Sequence, residues 1–200
     1  MACFHNTCGL TLLCYCNPMQ RRKATYKLYP CQRDAIELRL RTALHCELYN
    51  AALQERVEAW QKYGHSVTYY DQQNTLPELK RHRTDLVPLG SHALQETLRR
   101  LDRAFQAFFR RVKAGQSPGF PRYKSACRFS GFTYPDPAGW KLQRNGDRGA
   151  TLRIGSGDHQ LLIRARGRHR FGEAAKPNDL TVYRKGSHWY ASVTFRVPDE

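Results

Sequence analysis

Regular patterning begins at residue 22. Arg22 to Tyr29 (Arg-Lys-Ala-Thr-Tyr-Lys-Leu-Tyr) alternates polar and apolar positions, the period of a half-buried strand, and Pro30 ends it. From Arg33 the period changes. Ile36, Leu40, Leu44, Leu48 and Ala51 recur at helical spacing and predict one buried stripe, on a helix that runs to about Tyr63 and stops at Gly64. Residues 65–90 read as a loop with a short helix around Glu78 to Arg83. The next helix has Ser91 as its expected N-cap. Its apolar stripe of Leu94, Leu98, Leu101, Phe105, Phe108, Phe109 and Val112 is expected to be core.

Beyond Gly115 the pattern is that of strands: Phe129 to Tyr134, Thr151 to Ile154, Gln160 to Ala165, Leu180 to Arg184 and His188 to Val197. Turns are expected at Asn145-Gly146 and Lys185-Gly186. In the last strand Trp189, Ala191, Val193, Phe195 and Val197 share a face. One strand before the helices and several after them predict an α+β chain. Its β-barrel would take a first strand from 19–31 and the others from 115–200, and would be split by an inserted helical bundle at 32–114. No internal repeat or low-complexity tract interrupts this order.

Charge changes the picture most. The formal net charge is +16, and from Arg99 to Arg170 there are 17 Lys or Arg against Asp102, Asp136, Asp147 and Asp158. That stretch therefore holds +13 of the +16 (17 − 4), which reads as a binding face for a polyanion. A membrane role is not expected, because no run of about 18 apolar residues exists. Leu10 to Tyr15 is apolar, but no Lys or Arg precedes it as in a signal peptide. Cys3, Cys8, Cys14 and Cys16 lie near His5 without a Cys-x-x-Cys pair, so residues 1–18 read as an extension with no fold and no zinc site. Cys31, Cys46 and Cys127 are scattered, as single thiols are in a cytoplasmic protein.

Three constellations carry candidate chemistry. Arg99, Arg103 and Arg110 line one edge of the last helix, widened by Arg100, Arg111 and Lys113, as a ridge suited to phosphates. Gly119-Phe120-Pro121-Arg122-Tyr123-Lys124 interleaves aromatic and basic residues. There Phe120 either stacks on a base or plugs the barrel, while Arg122, Tyr123 and Lys124 reach nucleic acid. Arg164, Arg166, Arg168 and Arg170 alternate and would form a comb along one strand face. Lys27 and Arg128 join the expected phosphate-binding set. No phosphate loop, His-Glu-x-x-His motif or convergent group of carboxylates points to catalysis.

These residues also occur in an order that resembles the TnpB/OrfB-type proteins of insertion sequences, relatives of the type V CRISPR effectors. The resemblance runs through Tyr26-Lys27-Leu28-Tyr29-Pro30, Leu48-Tyr49-Asn50, Ala93-Leu94-Gln95, Leu98 to Phe105, Phe108-Phe109-Arg110, Gly119 to Lys124 and Trp189 to Val193. It covers about residues 20–200. It implies a wedge-like barrel split by a helical recognition domain, and a guide RNA from the transposon end and double-stranded DNA as partners. It also implies that a RuvC-like nuclease with a zinc ribbon would follow Val197-Pro198-Asp199-Glu200. Catalytic carboxylates, Mg²⁺ and Zn²⁺ are expected only there, so no cleavage is expected of these 200 residues alone.

The resemblance further places Tyr69 (after Thr68), Ser91, His92, Gln95 and Thr133 where the family reads a short DNA motif beside its target. Gln95 can pair with adenine or make a hydrogen bond within the helices, and both uses stay open. The alternative function is a self-standing, helix-turn-helix-like DNA-binding regulator of transposition, or a decayed transposase fragment.

Overall fold

The computed structural model describes residues 19–155, 157–168 and 175–198. The expected extension at 1–18, Arg170, Asp199 and Glu200 lie outside them. The elements in chain order are β1 (Met19–Tyr29), α1 (Gln32–Tyr63), α2 (Tyr69–His82), a 3-10 helix (Thr84–Leu89) and α3 (Ser91–Lys113). Then come β2 (Gly131–Tyr134), β3 (Trp140–Asn145), β4 (Gly149–Ile154), a 3-10 turn (Gly157–His159), β5 (Leu161–Arg166), β6 (Lys176–Lys185) and β7 (His188–Pro198).

The strands form one curled antiparallel sheet of seven in the order β2-β6-β7-β1-β5-β4-β3. Among the described residues its end strands β2 and β3 do not pair, so the expected barrel is a half-barrel. Alternation fills the inside of the curl with Ala24, Tyr26 and Leu28 of β1, Leu152 and Ile154 of β4, Ile163 of β5, and Val182 of β6. Trp189, Ala191, Val193 and Phe195 of β7 join them, on the face their spacing predicts. The β6–β7 hairpin turns at Gly186, whose φ of 59° a side chain would oppose. Gly131 lets β2 approach β6, because a Cβ there would lie 2.0 Å from the Val182 carbonyl oxygen.

The three helices, which fall between β1 and β2 in the chain, form a second apolar cluster. The buried stripe of α1 differs from the expected one. Ile36 and Leu40 are 56% and 51% exposed, and Ala51 is exposed too. Leu44 and Leu48 are buried as expected, but the buried residues of the helix are Leu38, Arg41, Thr42, Leu44, His45, Cys46, Leu48, Tyr49, Ala52, Leu53 and Arg56. Strict four-residue steps drift about 40° per step around a helix, so one such row cannot stay against one neighbour. The true face is hidden in the sequence because four of its members are polar.

Each of those four has partners. Arg41 donates to Glu37 (2.8 Å) and to the His159 carbonyl (2.6 Å), tying α1 to the sheet. Thr42 donates to the Leu38 carbonyl. His45 Nδ1 meets Thr97 Oγ1 of α3 at 2.7 Å, and its ring stacks on Phe132 of β2 at 5.1 Å. Arg56 donates through Nε to Gln72 of α2 and through Nη1 to Asp102 of α3.

The short helix expected near residue 78 is the end of a longer one. Thr68 and Asp71 form a reciprocal capping box that starts α2, and Pro77 sits inside the helix rather than ending it. Ser91 is the first residue of α3, not its cap. Gly90 occupies the cap without a side-chain bond, while Ser91 Oγ accepts from Lys80 Nζ. The apolar stripe of α3 also splits: Leu94, Leu98 and Leu101 are core, but Phe109 and Val112 are exposed. The sequence pattern does not mark β3 as a strand, although it does mark the turn to β4 at Asn145-Gly146.

Candidate nucleic-acid interface

The outward face of the sheet is where the strand pattern places most unpaired charge. Register puts Lys141 opposite Arg153, Arg166 opposite Lys27, and Arg21 opposite Arg196, which in turn faces Lys176. Like charges directly across a ladder repel. Asp179 is the one acid among the described strand residues, and it accepts from Thr194. Aromatic rings lie among these cations. Tyr29 faces Arg164, Lys27 Nζ sits 5.6 Å over the Tyr29 ring, and Tyr183 stacks on Tyr190 at 5.6 Å beside Lys27. The result is a cationic surface with π-faces, suited to phosphates and bases together.

Arg164 and Arg166 stand on this face as expected. Arg168 is exposed just past the end of β5, so two of the four expected teeth, Arg164 and Arg166, stand on the strand, and Arg170 lies outside the described residues. Arg128 is exposed in the loop before β2.

The α3 ridge is less uniform than its sequence. Glu96, nearly buried, takes Arg103 at 2.5 Å and Arg99 at 3.5 Å, and Arg99 Nη2 also donates to the Tyr69 hydroxyl. Arg100 turns inward. It donates to the Gly131 carbonyl and to Ser130, lies 4.7 Å over Phe129, and is held below its usual pKa by burial. It fastens α3 to β2 instead of widening the ridge. Arg110, Arg111 and Lys113 remain exposed.

The segment at 119–124 is pinned by a residue whose role the sequence does not reveal. Asn50 of α1 acts as a backbone substitute: its Nδ2 donates to the Lys124 carbonyl at 2.8 Å and its Oδ1 accepts from the Lys124 N–H at 2.9 Å. Tyr123 donates its hydroxyl to Gln54, and Lys124 Nζ lies 5.5 Å over Tyr49. Arg122 stays exposed. Phe120 does not plug the sheet; it packs edge-on against Phe105 and Phe108. Replacing Asn50 by Ala should cost about 1–3 kcal/mol, the loss of two bonds to a part-buried backbone. Limited trypsin digestion checks this. Cleavage after Arg122 and Lys124 should rise severalfold, and an unchanged pattern would show that the clamp is dispensable.

The residues placed by resemblance at a DNA motif fall into separate environments. Ser91 and His92 are exposed at the start of α3, where His92 Nδ1 meets Asp136 at 2.6 Å. Gln95 is half-buried one turn on and, among the described residues, makes no side-chain hydrogen bond. Thr133 Oγ1 meets Thr181 Oγ1 at 3.0 Å on the outer face of β2. Tyr69 is only 8% exposed and engaged by Arg99, whereas its neighbour Tyr70 is 70% exposed. Tyr70 escapes sequence reasoning because the capping box that rotates it outward lies in a segment that reads as a loop.

Among the described residues no three His, Cys, Asp or Glu side chains are grouped to hold a metal, and no helix is long and apolar enough to cross a membrane.

The sequence is similar to the "Putative RNA-guided DNA endonuclease" of Streptomyces pristinaespiralis. The two are 30% identical over 178 residues, which is 86% of this chain and 41% of that protein. The chain thus spans about two fifths of the length of the curated relative it matches. No family model matches the sequence. The likeness to the Streptomyces protein covers most of this chain, so it takes in both sheet and helices.

Proposed function

We propose that this chain is the guide-RNA- and DNA-holding part of an RNA-guided endonuclease of the TnpB/OrfB type. The observation that carries the proposal is the outer sheet face, where cations are set directly across from cations with almost no acid to relieve them. Such a surface is costly alone and favourable against a polyanion, whose condensed counterions it displaces. The likeness to the Streptomyces protein supports RNA and DNA as that polyanion.

In this reading the sheet is the wedge and α1–α3 the recognition bundle, with Lys27, Arg164 and Arg166 on phosphates and Arg110, Arg122 and Arg128 extending the track. Ser91, His92 and Gln95 approach a short DNA motif from the start of α3. Mg²⁺ and Zn²⁺ would belong to a RuvC-like nuclease and zinc-ribbon segment of the whole protein.

Titration of the chain with a structured RNA from the end of its own element, and with random duplex DNA, tests the reading across salt concentrations. RNA binding should persist at salt that abolishes duplex binding. Equal, steeply salt-dependent binding to both would reduce the surface to a non-specific basic patch and overturn guide selectivity.

A further inference from the structure

The aromatic end of α3 is expected in the core, but only Phe105 packs against it: Phe108 is half-buried and Phe109 is exposed. Phe105, Phe108 and Phe109 form one wall of a groove of about 820 Å³, the second half of α1 forms the other, and Phe120 with Pro121 closes one lip. The rings meet edge to face at 5.2–5.4 Å (Phe108 with Phe109, Phe120 with Phe105 and Phe108). Trp60 stands at the rim, 64% exposed.

At the base of the groove lies a polar group with an unmet need. Arg56 is 8% exposed and lines the groove. Its guanidinium reaches Gln72 and Asp102 and sits 5.2 Å over Phe105, but its Nη2 finds no acceptor among the described residues. A buried donor without an acceptor is rare in folded proteins. Asp102, the one acid lining the groove, is already engaged by Arg56 and Gln106. Cations flank the groove in the chain, with Arg110, Arg111 and Lys113 following Phe109 at the end of α3 and Arg122 following Pro121, while Glu58 on the α1 wall is paired with Lys62.

We propose that this groove takes an unpaired nucleobase from a single-stranded segment, stacked on the Phe108–Phe109–Phe120 cluster, with an acceptor on the base edge meeting Arg56 and the flanking phosphates meeting the rim cations. Aromatic walls alone would suit many partners. The cationic rim selects a polyanion, and among polyanions only an unpaired strand offers flat apolar faces. The proposal rests on the nucleic-acid reading above and adds a separate site for single strands.

The test uses the whole chain and a 15-residue oligo(A) RNA, the same oligomer with abasic positions, and a duplex of equal length. Trp140 and Trp189 are buried, so quenching of tryptophan emission reports Trp60. Oligo(A) should quench it and bind at least about 10-fold more tightly than the abasic oligomer, the scale of one stacked base. Phe109→Ala with Phe120→Ala should remove that difference, while duplex and abasic binding change less than about 2-fold. The abasic arm on the unaltered chain needs no variant to fold. If oligo(A) and the abasic oligomer bind alike, the groove is not a base site although the basic face stands. If the chain binds no nucleic acid at low salt, both readings are overturned.

Discussion

Replacing Arg164 and Arg166 together by glutamate should weaken binding of RNA and duplex DNA about 100-fold at low salt, with little change in thermal stability. Both side chains are exposed on β5, whose inward residues Leu161, Ile163 and Ala165 keep the core intact. Arg166 faces Lys27 across the ladder, and Arg164 faces Tyr29. The substitution therefore gives Lys27 an opposite charge to pair with, and this offsets any loss to folding. Against a polyanion the change runs the other way. Each phosphate that is no longer neutralised lowers the slope of log affinity against log salt by about 0.7–0.9, so the variant's slope should fall by about 2. Filter binding across salt concentrations reads both quantities. An unchanged slope would move the nucleic-acid track off this face and onto the helices.

The same sheet shows what is legible in the sequence. Alternation of period two needs no knowledge of neighbours, so the faces of β5 and β7 can be read from residues 161–166 and 188–198 directly. β3 escapes such reading because its outward positions, Lys141 and Gln143, sit in a run with few apolar residues, and only pairing with β4 holds it as a strand. Helices are harder, because a helix face is chosen by whatever packs on it. Arg41, His45 and Arg56 can be known as interior residues only once the His159 carbonyl, Thr97, Gln72 and Asp102 have been brought to them.

Charge is hard to read for the same reason. Arg99, Arg100 and Arg103 look alike in sequence, yet Glu96 holds two of them and Gly131 the third. Of the candidate site, Arg164, Arg166 and Arg122 can be found from spacing, whereas Lys141, Arg153, Arg21, Arg196 and Lys176 are brought face to face only by the strand register. The aromatic groove cannot, since helical periodicity makes Phe105, Phe108 and Phe109 indistinguishable from Leu94 and Leu98.

Acid should loosen the joint between helices and sheet, through His45, before the carboxylates titrate. His45 is fully buried between α1, α3 and β2, with Thr97 on one nitrogen, Phe132 against its ring, and the cations Arg41 and Arg100 nearby. Burial first, and then the fields of Arg41 and Arg100, lower its pKa from 6.5 to about 3. A histidine whose folded pKa is depressed stays neutral in the native state while the unfolded chain takes up a proton. Its contribution is therefore complete above pH 6.5 and is lost as pH falls from there towards 3.

At about 1.4 kcal/mol per pKa unit, the loss is about 2 kcal/mol between pH 7 and pH 5, and approaches about 5 kcal/mol at the acid limit. Asp71, held low by its bonds to Thr68, and Asp85, held low by Arg83, titrate at lower pH, so the upper half of the window belongs to histidine. His45→Phe removes the titrating group while keeping an aromatic ring against Phe132, and Thr97 retains its bond to the Ala93 carbonyl. Urea unfolding at pH 7, 6 and 5 should show the unaltered chain losing about 2 kcal/mol and the variant well under half of that. Parallel losses in the two proteins would mean that His45 does not set the acid limit, and that the carboxylate pairs alone do.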